Sequence, residues 1–201
     1  GAAGNINPRG VSAGPEAAIR HAEALHAAVG RALATAAIDP APVVGFRRSV
    51  CQLPTRLPRG EDCGEQLTAS LAALRLGGAA VAFLPGEPFV ETAMAIRARS
   101  PFEWTGVVGF TEETVGYIPT DEAFAEGGYE TGFGPWSVLS PGSEPLLREA
   151  SQSLLEEVWQ VRTPAARFAP HVHGPAHRAA PAAAKPLSTG TTAGGGKRDE
   201  L

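Results

Sequence analysis

The chain is short of several things, and each shortage closes off a class of function. It holds two cysteines in 201 residues, Cys51 and Cys63. Two thiols build no disulfide framework and match no zinc-ribbon spacing, so reduced cysteines without a chemical role are expected. No stretch approaches the roughly 18 consecutive apolar residues of a membrane span, although 43% of the residues are hydrophobic. Lysine is missing until Lys185; every earlier basic residue other than histidine is arginine. With 24 glycines, 18 prolines and abundant alanine, this reads as a coding-composition habit. Positive charge is scarce in the body of the chain. Residues 1–161 carry eleven arginines against nineteen acidic groups, a net of −8; residues 162–201 carry six basic groups against two acidic, a net of +4. An acidic body argues against nucleic acid as the main partner. The opening GAAGNINP is neither a signal peptide nor a usual start of a domain. Glycine-rich sequence of this kind usually follows a strand, so the chain is expected to be a fragment whose upstream part is missing.

What is present reads as one domain with a sizeable core. Ser12 can cap a helix and Pro15 sits near its first turn. Ile19, Ala22, Leu25, Val29 and Leu33 then recur at helical spacing to about Ala37. Residues 43–50 read as a strand and 53–64 as a loop. Residues 65–76 (EQLTASLAALRL) read as a second helix, stopped by Gly77-Gly78. The nearly continuous apolar run 79–85 is expected to be a strand buried on both faces. A helix over 89–99, a strand over 105–110 and an amphipathic helix over 144–161 complete the pattern. The last of these shows Leu146, Leu147, Leu154, Leu155 and Val158 on its apolar side. Strands alternating with helices predict an α/β architecture: a mixed or largely parallel sheet with helices packed on it, followed by a disordered C-terminal tail. The predicted boundary separates a catalytic-type domain, 1–161, from an Ala/Pro/Gly-rich tail, 162–201. That tail has too few large apolar side chains to offset its chain entropy.

Three segments can carry chemistry. In LPGEPFVETAMAIR (84–97) a buried strand ends in Pro-Gly, and Glu87 follows at once before a helix. Ligands gather at the C-terminal ends of strands in open α/β sheets. A carboxylate there can ligate a metal or act as a base; the plain alternative is a first-turn glutamate favoured by the helix dipole. In VGYIPTDEAFAEGGYE (115–130), Tyr117 lies just past the strand TGVVGF, and Tyr129 follows twelve residues on. These are the only two tyrosines. On position alone, tyrosines at sheet edges are usually core or rim residues with a satisfied hydroxyl. In GAAGNINPR (1–9), small residues let backbone approach a ligand, and Asn5 and Asn7 can supply polar contacts; the alternative is a turn leading into the first helix.

Taken together, Pro85-Gly86-Glu87, Tyr117-Ile118-Pro119-Thr120 and Tyr129-Glu130 resemble the signature of the neutral ceramidase family, in the bacterial-type branch of neutral/alkaline non-lysosomal ceramidase domains. The resemblance runs from Gly1 to about Val161 and is densest over 84–130. It implies the C-terminal part of a catalytic domain that hydrolyses the amide bond of ceramide or a related N-acyl lipid. It implies zinc as cofactor, with Glu87 as the carboxylate ligand and Tyr117 as a tyrosine ligand. Tyr129 matches a tyrosine that stabilises the oxyanion during attack on the amide carbonyl. The chemistry suits these types: zinc accepts glutamate oxygen, and a phenol donates a hydrogen bond where negative charge develops.

Two departures accompany the match. The family's other zinc ligands are histidines, expected upstream of residue 1 in a missing N-terminal half of the same domain. His21 and His26 do not substitute for them. Five residues apart on a helix, they sit about 140° round from each other, and are expected at the surface. The segment Gly4-Asn5-Ile6-Asn7-Pro8 matches the family's Gly-Asp-Val-Ser-Pro, so Asn7 stands where the family carries a catalytic serine. Asparagine donates a hydrogen bond but offers no hydroxyl nucleophile, which raises two further readings: a non-catalytic lipid-binding module, and a hydrolase of a non-lipid amide. The implied partner is a lipid-like amide substrate, with no nucleic acid and no transmembrane segment; contact with a membrane surface is left open. In the tail, His171, His173 and His177 form a short cluster expected to be adventitious. The terminal Arg198-Asp199-Glu200-Leu201 resembles an endoplasmic-reticulum retrieval signal. Acting as one, it would place the protein in that lumen; otherwise the protein is secreted or cytoplasmic.

Overall fold

A computed structural model of the chain describes residues 1–8, 14–57 and 62–162, without the side chains of 62–64. The capping role expected of Ser12, the histidine cluster 171–177, the terminal RDEL and the disorder expected beyond Arg162 lie outside the described residues. In chain order come α1 (Gly14–Thr35), β1 (Val44–Arg56), β2 (Asp62–Leu76), β3 (Ala79–Phe83) and β4 (Glu87–Pro88). There follow α2 (Val90–Arg99), β5 (Trp104–Val108), β6 (Tyr117–Ile118), α3 (Asp121–Glu126) and α4 (Ser143–Trp159). Among the described residues one sheet runs β1-β2-β3-β5, and β4 pairs with β6 in a separate two-stranded ladder. The fold is mixed α/β, a sheet with helices packed on it. Of the alternatives drawn from the sequence, the mixed sheet is the one observed. β1, β2 and β3 pair antiparallel, and only β3–β5 is parallel within the larger sheet.

The second helix expected at 65–76 is instead strand β2. Its alanines and leucines suit a helix, but the segment is paired on both sides. It runs from Leu53↔Leu67 to Val44↔Leu76 against β1 and from Ala72↔Phe83 to Leu76↔Ala79 against β3. Two ladders of main-chain hydrogen bonds outweigh a propensity difference of a few tenths of a kcal/mol per residue. Gly77-Gly78, expected as a helix stop, is the two-residue turn of the β2–β3 hairpin. The loop expected from residue 53 is correspondingly shorter, because β1 continues past an irregularity at Pro54 to Arg56.

Alternation decides which face of the sheet is covered. Leu53, Leu71, Ala73, Ala80 and Ala82 point to one side and are fully buried. There α4 packs across β1, β2 and β3 and against α2, contributing Leu147, Leu154, Leu155 and Val158 to the same core. Leu146, expected on that apolar side, is exposed. On the other side of the sheet Val44, Phe46, Val50, Leu76 and Trp104 are exposed. So is α1: Ile19, Leu25, Val29 and Leu33 face solvent, and Ala17 is the helix's one buried residue. The expected apolar stripe is present, but among the described residues nothing covers it. His21 and His26 are exposed, as expected.

Candidate metal centre

The site forms where β3 and β5 end. Leu84 N–H donates to Val108 O (2.9 Å) and Phe110 N–H to Gly86 O (2.8 Å), tying the two strand ends together. The chain then turns through buried Pro85 and Gly86. Gly86 has φ +63°, and a Cβ there would run into the Gly116 carbonyl. Gly116 has φ +80°, and a Cβ on it would run into the Trp136 carbonyl. Only glycine fits both conditions at either place. Each of these glycines stands immediately before a candidate ligand.

Past them, Glu87 and Tyr117 are direct register partners in the parallel β4–β6 ladder. Glu87 N–H donates to Gly116 O (2.8 Å), and Tyr117 N–H donates to Trp136 O (2.7 Å). The next residues, Pro88 and Ile118, are fully buried. Because successive side chains alternate, burying Pro88 and Ile118 turns Glu87 and Tyr117 together to the opposite, half-buried side.

The electrostatics are those of an acidic pair held partly out of water. Burial pushes the Glu87 carboxyl above its ordinary value, and the Glu130 carboxylate adds to the shift. Burial also raises the Tyr117 phenol, with Glu87, Tyr129 and Glu130 adding in that order. Tyr129 meets Tyr117 edge-on, with ring centroids 6.0 Å apart, and stacks flat on Trp136 at 5.4 Å and 8°. Buried Arg56 pins the loop that carries these rings. It donates to Thr131 O (2.7 Å), Ser137 O (3.1 Å) and Leu139 O (2.9 Å).

The structure therefore brings Glu87, Tyr117 and Tyr129 into one neighbourhood. Asn7 is exposed and joins none of these bonds. The N-terminal segment does reach the site's flank, but through Gly4, whose N–H donates to Pro88 O (3.0 Å), and through Asn5. Asn5 Oδ1 accepts from Val90 N–H (2.9 Å) at the start of α2, and Asn5 Nδ2 donates to Glu91 (2.7 Å). Two neighbours of the pair carried no role in the sequence reading. Glu130 was visible only as the companion of Tyr129. Trp136 had no signal, since only the folded loop lays its ring on Tyr129.

As a zinc site the donor set is partial. Zinc takes glutamate and other oxygen donors in a four-coordinate arrangement, usually with imidazole or thiolate. Glu87 and Tyr117 offer two oxygens in a raised-pKa setting that a cation would relieve. Among the described residues no group of three or more His, Cys, Asp or Glu side chains is placed to hold a metal. Glu and Tyr oxygens are donors that zinc accepts, but two of them do not complete a zinc site among the described residues.

No protein-family model matches the chain, and no curated protein sequence does. Among solved structures it is similar to neutral ceramidase from Pseudomonas aeruginosa, with 22% identity and a TM-score of 0.35. That similarity covers 45% of this chain and 16% of the ceramidase chain. Among the described residues no helix is long and apolar enough to cross a membrane.

Proposed function

We propose that residues 1–161 form the C-terminal part of a zinc-dependent amidohydrolase domain resembling neutral ceramidase, which cleaves the amide bond of ceramide or a related N-acyl lipid. The observation that carries this reading is the register pairing of Glu87 with Tyr117, with the Tyr129 ring edge-on beside them. The three residues that the sequence motifs single out lie on separate segments, yet they share one neighbourhood. In this reading Glu87 and Tyr117 hold zinc together with imidazoles supplied from outside this pair of segments. Bound zinc would supply a water of lowered pKa and polarise the amide carbonyl. The Tyr129 phenol donates a hydrogen bond to the oxygen on which charge develops. Glu130 keeps the neighbourhood negative, which favours a cation.

The test uses protein in which those imidazoles are present, assayed for zinc content and ceramide cleavage. The reading expects stoichiometric zinc, lost on Glu87→Ala. Unchanged metal content in that variant would sink the ligand assignment. A second reading, a non-catalytic lipid-binding module, is favoured by one observation: the position of the family's serine is held by exposed Asn7. Zinc-loaded protein that binds N-acyl lipid without turning it over would select it. Turnover of a non-lipid amide in preference to ceramide would select a third, a hydrolase of different specificity.

A further inference from the structure

We infer that Trp136 is a positioning residue for the Tyr129 phenol, holding it at the Glu87–Tyr117 pair. Trp136 binds both tyrosines at once, by different parts. Its carbonyl accepts the Tyr117 N–H at 2.7 Å, and its indole lies flat on the Tyr129 ring at 5.4 Å. The indole is itself backed. Gly134 lies against it, and a Cβ there would come within 2.8 Å of the ring. Gly134 and Ser137 close a tight turn around Trp136, with Ser137 N–H donating to Gly134 O at 2.9 Å. Ser137 Oγ then donates to Glu130 O at 2.6 Å, so the turn carrying Trp136 is tied to the residue after Tyr129.

Tyr129 needs such a support. The residue is 62% exposed, so burial alone does not select one rotamer. An exposed ring held by a flat stack on Trp136 and a T-shaped contact with Tyr117 presents its hydroxyl in one direction. Preorganised donors are effective only when their direction is fixed before charge appears, and misplacement by about 1 Å can cost on the order of a hundredfold in rate. This inference rests on the reading that Tyr129 assists amide cleavage, but its structural half can be measured without any reaction.

The measurement uses the full chain carrying Tyr117→Phe, in which Tyr129 is the sole tyrosine, labelled with 3-fluorotyrosine. Fluorine relaxation then reports the mobility of that ring alone. The expected result is a rigid ring with Trp136, a rigid ring with Trp136→Phe, and a freely moving ring with Trp136→Ala. Should Trp136→Ala not fold, Trp136→Leu retains part of the apolar volume and the main-chain bond to Tyr117 while removing the flat face, and the same loss of rigidity is expected. A ring equally rigid in the Ala or Leu variant overturns the inference. In zinc-loaded, amide-cleaving protein the non-aromatic variants are expected to lower kcat by on the order of tenfold to a hundredfold, with KM and zinc content nearly unchanged, and Trp136→Phe to restore most of it. Loss of zinc in the variants, or equal effects on KM and kcat, overturns it too. If the protein cleaves no amide but the ring loosens as described, the enzyme reading fails and the positioning stands.

Discussion

Helices α1 and α4 have the same kind of sequence and opposite fates. Both carry leucine, isoleucine or valine at helical spacing, and both read as amphipathic. α4 sets Leu147, Leu154, Leu155 and Val158 into the core beneath the sheet, whereas α1 leaves Ile19, Leu25, Val29 and Leu33 in solvent. The periodicity of a helix shows that it has an apolar side, but not whether the same chain supplies the cover. Charges divide in the same way. Buried Glu144 on α4 is answered one turn later by Arg148 at 3.1 Å. Glu87 instead faces Glu130 and Tyr117, and among the described residues no ion pair includes it. Among the described residues, packing is complete around α4, whereas the apolar side of α1 and the Glu87 pair are left without a partner.

The largest expected effect contrasts the two helices directly. Leu155→Ala removes a fully buried side chain and should cost about 2–5 kcal/mol in denaturant unfolding. Leu25→Ala, at a position 67% exposed, should change stability by less than about 0.5 kcal/mol. Comparable losses would mean that α1 is packed after all. A pair of glycine variants sharpens the point. Gly86→Ala forces a side chain into a positive φ and onto the Gly116 carbonyl, so a loss of about 2 kcal/mol or more is expected. Gly30→Ala on α1 meets open space and should gain up to about 1 kcal/mol from helix propensity.

A smaller effect concerns pH. The folded-state pKa of Glu87 is raised, chiefly by burial and then by Glu130. The folded form therefore holds its proton more tightly than the unfolded one. Its contribution to stability is full below the ordinary carboxylate value of 4.5 and is lost as pH rises through the folded value. Glu87→Gln should raise stability at neutral pH by roughly 0.5 kcal/mol, the scale of a half-exposed charge interaction, and make no difference near pH 3. A variant destabilised at neutral pH would show that Glu87 has a favourable partner.

Much of this is legible in the residues themselves. The Pro85-Gly86-Glu87 turn after an apolar strand marks Glu87 because a strand end, a glycine and a carboxylate occur together. Tyr117 follows Gly116 in the same way. β2 misleads because Ala and Leu serve helix and buried strand alike, and its identity rests on pairing with strands on both sides. Asn5 and Asn7 could not be told apart by spacing; the fold assigns the helix-capping bond to Asn5. Trp136 acts through a stack that sequence distance does not encode.

The central claim, that Glu87 and Tyr117 are metal ligands, has a direct spectroscopic test in this chain once free imidazole is added in place of the nitrogen ligands it lacks. Zinc coordination to a phenol displaces its proton and gives an ultraviolet phenolate difference band. With only two tyrosines present, that band can be assigned by substitution, and zinc held by histidines alone does not produce it. Titrating zinc at neutral pH should raise the band in the parent chain and in Tyr129→Phe, and not in Tyr117→Phe or Glu87→Ala. A band that survives Tyr117→Phe, or no band in the parent chain at saturating zinc, would contradict the assignment.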